Sequence, residues 1–384
     1  MADPIQRVHV ALDHHTRVCA RAPGRINVIG EHTDYIGGLA LPAAIDRHIV
    51  VGLRARSGHT VIHSVDVPGT TTVDWSTPIT RLPPGTADWV RYMVGAIAEF
   101  VAHVGGPNTA PQVVCAPFEG AVAGDVPRGA GLSSSAALCV AWMNALAAWS
   151  GHPLNDRTIV HLARMVEHRW LGVACGALDQ TASQMGRVRR LLRVDFRSMA
   201  VDPVLAGGLG WIVLDTGVRR GLAHSAYTER VRAVTDGLAS IRERHAGVTH
   251  WRDLALHHLE GLDGPRWLRH GITENARVEA MVEALGTDDV RAVGRLLNES
   301  HASLRDDYAV SCGELDAMAR CARQEDGVYG ARMVGAGFGG CVLAAAEAGA
   351  GKGVLEGVLG RYRAATGRAG AGWVVRPGSG AGLV

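Results

Sequence analysis

Four stretches of the chain carry residue types that could do chemistry. The first is Pro127-Arg128-Gly129-Ala130-Gly131-Leu132-Ser133-Ser134-Ser135-Ala136-Ala137, where small residues run into three serines. A glycine-rich turn that opens a helix aims unpaired N–H groups and the positive end of the helix dipole at one spot. Phosphate is the usual occupant of such a site. The hydroxyls could cap the helix, bond phosphate oxygens or reach a metal ion. The plain alternative is a glycine loop whose first serine caps an ordinary helix. The second stretch is Glu31-His32-Thr33-Asp34-Tyr35-Ile36-Gly37-Gly38. Two carboxylates and an imidazole at this density suit the hydroxyls of a sugar or polyol. A metal site competes, although E-H-x-D is not a familiar ligand pattern, and a polar hairpin end remains open.

The third candidate is Glu167, beside the helical apolar face of Ile159, Leu162, Ala163, Val166 and Trp170. It reads as a cleft-edge carboxylate or as a solvent-facing one. The fourth is Asp179, in the small, apolar run that begins at Gly172. A carboxylate there needs partners, or caps a helix.

The elements that must position these groups follow from periodicity. Residues 16–30 read as two short strands around a Pro-Gly turn, and 48–54, 59–65 and 112–116 as further strands. Helical patterns cover about 89–104, the Ala/Leu-rich run to Trp149, and 158–170. Gly207 to Gly210 mark a boundary, so the expected units are 1–205 and 206–384. The second unit reads as strand 211–215, a basic loop, and helices at 228–245, 273–285, 288–304 and 313–325. Strands 331–334 and 341–346 then flank a glycine loop, before a helix at 351–366 and a strand at 373–376. The fold class is α+β in two domains.

Composition narrows the function. The chain has 384 residues, 47% hydrophobic and 20% charged, with net charge +2, which fits a globular protein and gives no reason to expect nucleic acid or membrane as partner. No apolar run approaches a membrane span, and the first residues lack a signal-peptide pattern. Seven cysteines without a CxxC pair suggest neither a zinc site nor a disulfide framework, so the expected location is cytoplasmic. Monomer and homodimer stay open. Gly335, Gly337 and Gly340 spell GxGxxG, but a strand pattern follows where a dinucleotide site needs a helix. Lys352 is the single lysine, which excludes a Walker loop and a protein-kinase strand lysine. Any phosphoryl transfer here must use glycine N–H groups, serine hydroxyls, a helix dipole, Mg²⁺ and arginine.

With these residues in place, the chain resembles the GHMP kinases, and within them the galactokinases. Pro127 to Ala136 is similar to their nucleotide motif, Ala22-Pro-Gly-Arg-Ile-Asn-Val-Ile-Gly-Glu-His-Thr-Asp-Tyr35 to the galactokinase signature, and Gly335–Gly340 to the third GHMP motif. Cys175–Gln180, Ile272–Val278, Ser300–Tyr308 and Gly327–Met333 also resemble galactokinase strings. The resemblance implies a two-domain GHMP kinase fold with its site in the cleft, ATP and Mg²⁺ as cofactors, and a small sugar as substrate. It implies Asp179 as the base toward the anomeric hydroxyl and Arg25 as the stabiliser of transferring charge. Glu31, His32, Thr33, Asp34, Gly176 and Tyr227 would hold the sugar. Gly129, Ala130, Gly131, Leu132, Ser133, Ser134 and Ser135 would cradle the phosphates, with Trp89 and Ser64 at the nucleoside. Ser135 and Glu167 would ligate Mg²⁺.

The chain departs from the galactokinase pattern at Ile36, usually Asn, and at Cys139, usually an acid. Arg189, Arg190, Arg193 and Arg220 are further departures. Arginine forks suit phosphate oxygens, so a larger or already phosphorylated sugar is the alternative substrate. A sugar- and ATP-binding regulator is a third reading.

Overall fold

The structure, a computed structural model, describes every residue but 1, 220–222, 246 and 261–265; the side chains of 223–228 and 235 also lie outside the described residues. A six-stranded sheet runs in the order Gly382–Leu383, Val18–Asn27, Pro42–Ala55, Phe118–Gly124, Thr60–Ser64, Thr70–Val73. Its neighbours are antiparallel except Thr60–Ser64 with Phe118–Gly124. The helix Ser134–Ser150 lacks interior Pro and Gly and buries Ala137, Val140, Trp142 and Leu146 among others. A helix apolar over most of its surface must be enclosed. It packs on Val18–Asn27 and Pro42–Ala55, while Asp88–Gly105 and Asp156–Leu171 cover it.

A second sheet, of four antiparallel strands, runs Val328–Val334, Cys341–Glu347, Leu209–Asp215, Ala371–Val375. Helices Arg266–Gly286 and Val290–Asp306 pack on each other, and the latter packs on Val328–Val334. One apolar cluster joins both sheets: Ile26, Phe100 and Trp142 share it with Trp211, Met281, Leu297 and Leu343. A small third sheet joins Leu39–Ala40, Arg190–Asp195 and Ala200–Leu205.

Two local expectations change. Residues 18–27 form one strand, whose register shifts between Pro23 and Arg25 where a turn was expected. Residues 112–116 are not a strand: Pro111 opens a one-turn helix, Pro111–Val114, and the strand starts at Phe118. The glycine-rich end is ordered, since Gly382–Leu383 pairs with Val18–Asn27. The glycine loop 335–340 links two antiparallel neighbours, with positive φ at Gly335, Gly337, Phe338, Gly339 and Gly340. That geometry is not a dinucleotide turn.

Candidate active site

The register shift after Pro23 marks a bulge, a device that re-aims side chains, and Arg25 follows it directly. Arg25 is buried. Its Nε donates to Asp179 Oδ1 at 2.6 Å and a terminal nitrogen donates to Gly131 O at 2.7 Å. One guanidinium therefore ties the Asp179 helix to the glycine–serine loop. Burial acts against its charge, but Asp179, Glu31 and Asp34 outweigh that and hold it firmly protonated.

Asp179 is not a cap. Ala177 holds the N-cap position of helix Leu178–Met185, and Asp179 sits in its first turn, where the dipole favours a carboxylate. Its second oxygen accepts the Ser133 hydroxyl in a short hydrogen bond. Ser133 stands at the N-cap of Ser134–Ser150 in the left-handed region, φ 57°, yet its side chain makes no capping bond. The plain reading of the loop thus fails, because the hydroxyl expected to cap turns to Asp179. Ala130 and Leu132 have buried side chains, which leaves their backbone to the loop. Arg128 donates to Asp66 O at 3.3 Å, linking this loop to the 64–69 turn. There Ser64 Oγ accepts the N–H groups of Asp66 and Val67, and the Trp89 ring lies over Gly69. Ser64 and Trp89 therefore meet at one turn beside the phosphate loop.

The loop expected to hold the sugar begins at Gly30. Glu31 is buried and forms a short ion pair with the fully buried Arg332, which also donates to Asn27 O and, at 2.8 Å, to Val28 O. Burial pushes the Glu31 carboxyl up, against the pull of Arg332 and Arg25. His32 takes φ 60° and meets the Tyr35 hydroxyl through Nδ1 at 3.1 Å, its ring 4.8 Å from that of Tyr308. Thr33 is fully buried and donates to Gly30 O and Leu39 O, so it holds the turn. Asp34 accepts from Leu178 N–H at 3.3 Å, and burial with the nearby Asp179 charge raises its carboxyl to about 6. A Cβ on Gly176 would fall 1.9 Å from Asp34 Oδ2, so only glycine admits the carboxylate there.

Glu167 faces inward, against the solvent-facing reading. It is buried and accepts from Gln180 Nε2 at 2.5 Å and from Cys175 Sγ at 3.3 Å. Burial and Asp179 push its carboxyl up, while a hydrogen bond from Ser135 works the other way. Among the described residues no group of three or more His, Cys, Asp or Glu could hold a metal ion.

Some expectations fall elsewhere. Arg220 and the Tyr227 side chain lie outside the described residues. Arg193 is engaged in ion pairs, with Glu279 at 2.5 Å and with Asp202. Arg189 is exposed. Ile36 is buried with Trp251 in an apolar cluster, which explains an apolar residue where the galactokinase pattern has Asn. Cys139 is fully buried in the core.

Several site residues escaped sequence reasoning. Glu274 accepts from Gly30 N–H at 3.0 Å, Ser300 Oγ at 2.7 Å and Arg277 Nε at 2.7 Å. Burial opposes its charge, but Arg277, His270 and Arg332 outweigh it and hold the carboxyl at about 2. His270 meets Glu31 O at 3.0 Å through Nε2. The strings around Glu274, Tyr308 and Arg332 were visible as motifs, but nothing local assigned them partners.

The galactokinase of Roseiflexus sp. (strain RS-1) is 34% identical over 383 residues, covering 96% of this chain and 94% of its own length. The chain belongs to the galactokinase family. Human galactokinase is 36% identical over 337 residues, 86% of this chain and 83% of the human one. Residues 91–187 match the GHMP kinases N terminal domain, 281–364 the GHMP kinases C terminal family, and 10–55 the Galactokinase galactose-binding signature. The structure of Lactococcus lactis galactokinase complexed with galactose superposes with TM-score 0.88 at 28% identity, covering 97% of both chains. A mevalonate kinase superposes at 0.68 with 18% identity and shares the fold. A chain of the galactokinase family is a sugar kinase, a phosphotransferase, and the expected α+β GHMP fold is the one found. The larger-sugar alternative is not favoured, because the relatives and the signature matched are those of galactokinases. Among the described residues no helix is long and apolar enough to cross a membrane.

Proposed function

We propose that this chain transfers the γ-phosphoryl group of ATP to the anomeric hydroxyl of α-D-galactose, releasing ADP and galactose 1-phosphate. The observation that carries the reading is the Arg25–Asp179 pair at 2.6 Å, set between the sugar loop and the glycine–serine loop. Phosphoryl transfer asks chiefly for positioning and charge stabilisation, and one fixed ion pair supplies both. Asp179 orients the anomeric hydroxyl and takes its proton. Arg25 holds the Asp179 carboxylate in place through Nε and faces the charge that develops on the phosphoryl oxygens. Backbone N–H groups of Gly129–Ser135 hold the phosphates, Trp89 and Ser64 the nucleoside, and Glu31, His32, Asp34, Gly176 and Tyr227 the sugar. Thr33 supports this set from behind.

Mg²⁺ fits the donors at Ser135 and Glu167: both offer oxygen, as this hard cation requires, and Glu167 is a buried carboxylate that a cation would relieve. Bound there, Mg²⁺ would neutralise phosphate charge. A cytoplasmic location agrees with cysteines that are all free. The division into 1–205 and 206–384 is supported by a six-stranded sheet drawn almost wholly from the first part and a four-stranded sheet drawn from the second.

ADP release measured with a panel of free sugars and sugar phosphates tests the reading, with galactose expected as substrate. Turnover only with a sugar phosphate would end it, and no turnover with any sugar would favour the regulator. Acidity supplies a second test. Asp34 titrates at about 6, and only its ionised form accepts from sugar hydroxyls through both oxygens. The KM for galactose is therefore expected to rise about tenfold per pH unit below 6, with the KM for ATP changing less. The folded pKa of Asp34 lies above its unfolded value, so its contribution to stability is present at low pH and lost as pH rises through 6. Weaker sugar binding in acid would then occur without unfolding at this group. A flat KM from pH 7 to 5 would remove Asp34 from the sugar site.

A further inference from the structure

The helix that carries Asp179 has only eight residues, Leu178–Met185, and isolated helices so short are marginal in water. The last carbonyls of a helix have no partner within it. Here the end of the helix is served from almost two hundred residues away. Ala381 N–H donates to Ser183 O at 2.9 Å, and Gly380 N–H donates to Gly186 O at 2.7 Å. The approach is close: a Cβ on Gly380 would lie 2.3 Å from Gln184 O and 2.8 Å from Gly186 N.

The same segment also holds the strand of Arg25. Gly382 and Leu383 pair with Arg21 and Ala20, and Val384 N–H donates to Cys19 O at 3.0 Å. Gly378 N–H donates to Ala44 O at 2.9 Å, and Ala44 is the residue opposite Arg25 in the neighbouring strand. Arg189 N–H, just past the Asp179 helix, donates to Pro377 O at 3.0 Å. From inside, Ser183 Oγ donates to Pro23 O at 2.7 Å, joining the helix to the bulge before Arg25.

We infer that residues 377–384 are a positioning strap for the Arg25–Asp179 pair: they close the open end of the Asp179 helix and fix it against the Arg25 strand. The inference rests on the proposed roles of those two residues. Pro377-Gly-Ser-Gly-Ala-Gly-Leu-Val384 reads like a linker, yet its backbone bonds reach both the Asp179 helix and the Arg25 strand. A shift of about 1 Å in a reacting group can cost on the order of a hundredfold in rate, so slack in this segment acts on the chemical step more than on binding.

Two variants and a control test this with galactose and ATP, per folded molecule. Gly380→Val forces side-chain atoms onto the Gln184 carbonyl, and Ala381→Pro deletes the N–H given to Ser183. Each is expected to lower kcat about tenfold or more, with both KM values within about threefold of the parent. Gly382→Ala is the control, because a Cβ there meets nothing within 4 Å, and it should behave as the parent. Should Gly380→Val fail to fold, Gly380→Ala gives the same reading with a smaller side chain. An unchanged kcat in folded Gly380→Val and Ala381→Pro would overturn the inference, even if their melting temperatures fell. So would a rise in both KM values at constant kcat. The Asp179→Asn variant tests the pair itself without touching the segment, so failure of one reading is separable from failure of the other.

Discussion

Asp179→Asn is expected to lower kcat for galactose phosphorylation about a thousandfold while galactose binding stays measurable by calorimetry. General-base catalysis contributes on the order of 10² to 10⁴ in rate, and the amide has no basic oxygen to take the anomeric proton. The surroundings suit an anion: Arg25 Nε and the Ser133 hydroxyl both donate to this carboxylate. An Asn oxygen can accept from one of them, while its amide nitrogen must face the other donor. The sugar loop is held by Glu274, His270 and Arg332 and not by Asp179, so binding survives. Near-normal turnover in this variant would remove Asp179 from the chemistry.

Arg25→Met is expected to abolish measurable turnover and to lower folding stability by about 3 kcal/mol, read by urea denaturation. Removing one partner of a buried ion pair strands the other. Here the loss leaves Asp179, Glu31 and Asp34 without the cation that all three bias. The Arg25 side chain is 6% exposed and that of Asp179 is 32% exposed, so water relieves the stranded carboxylate in part. Adding Asp179→Asn to Arg25→Met should recover some of the stability but none of the activity, the coupling expected of contacting groups. Wild-type stability in Arg25→Met would show the pair to be peripheral.

The parts of the site legible in sequence are those written locally. The glycine–serine loop announces itself by composition, and the single lysine removes its rivals. Asp179 was different. Its own neighbourhood reads as a helix cap, and only the resemblance to galactokinases singled it out. The structure shows why, since its two partners come from the strand Val18–Asn27 and the glycine–serine loop. Glu274, His270 and Arg332 were illegible for the same reason carried further. Each looks like an ordinary polar residue of a helix or strand, and their bonds to the sugar loop span 244, 239 and 301 residues. Periodicity fails where special residues intervene. Pro111 turned an apparent strand into a helical turn, and Pro23 became a bulge where a hairpin was expected. The bonds of the glycine-rich end are all backbone and carry no side-chain signature.

The buried ion pair between Glu31 and Arg332 also sets an order of events during synthesis. Residues 18–124 supply five strands of the first sheet early, and there the Glu31 carboxylate feels the charge of Arg25, but its ion pair is made with Arg332. Three hundred more residues must leave the ribosome before Arg332 arrives. Until then Glu31 lacks the ion-pair partner it has in the folded protein. The turn at Glu31 thus gains its buried ion pair only after the strand Val328–Val334 of the second sheet has been made.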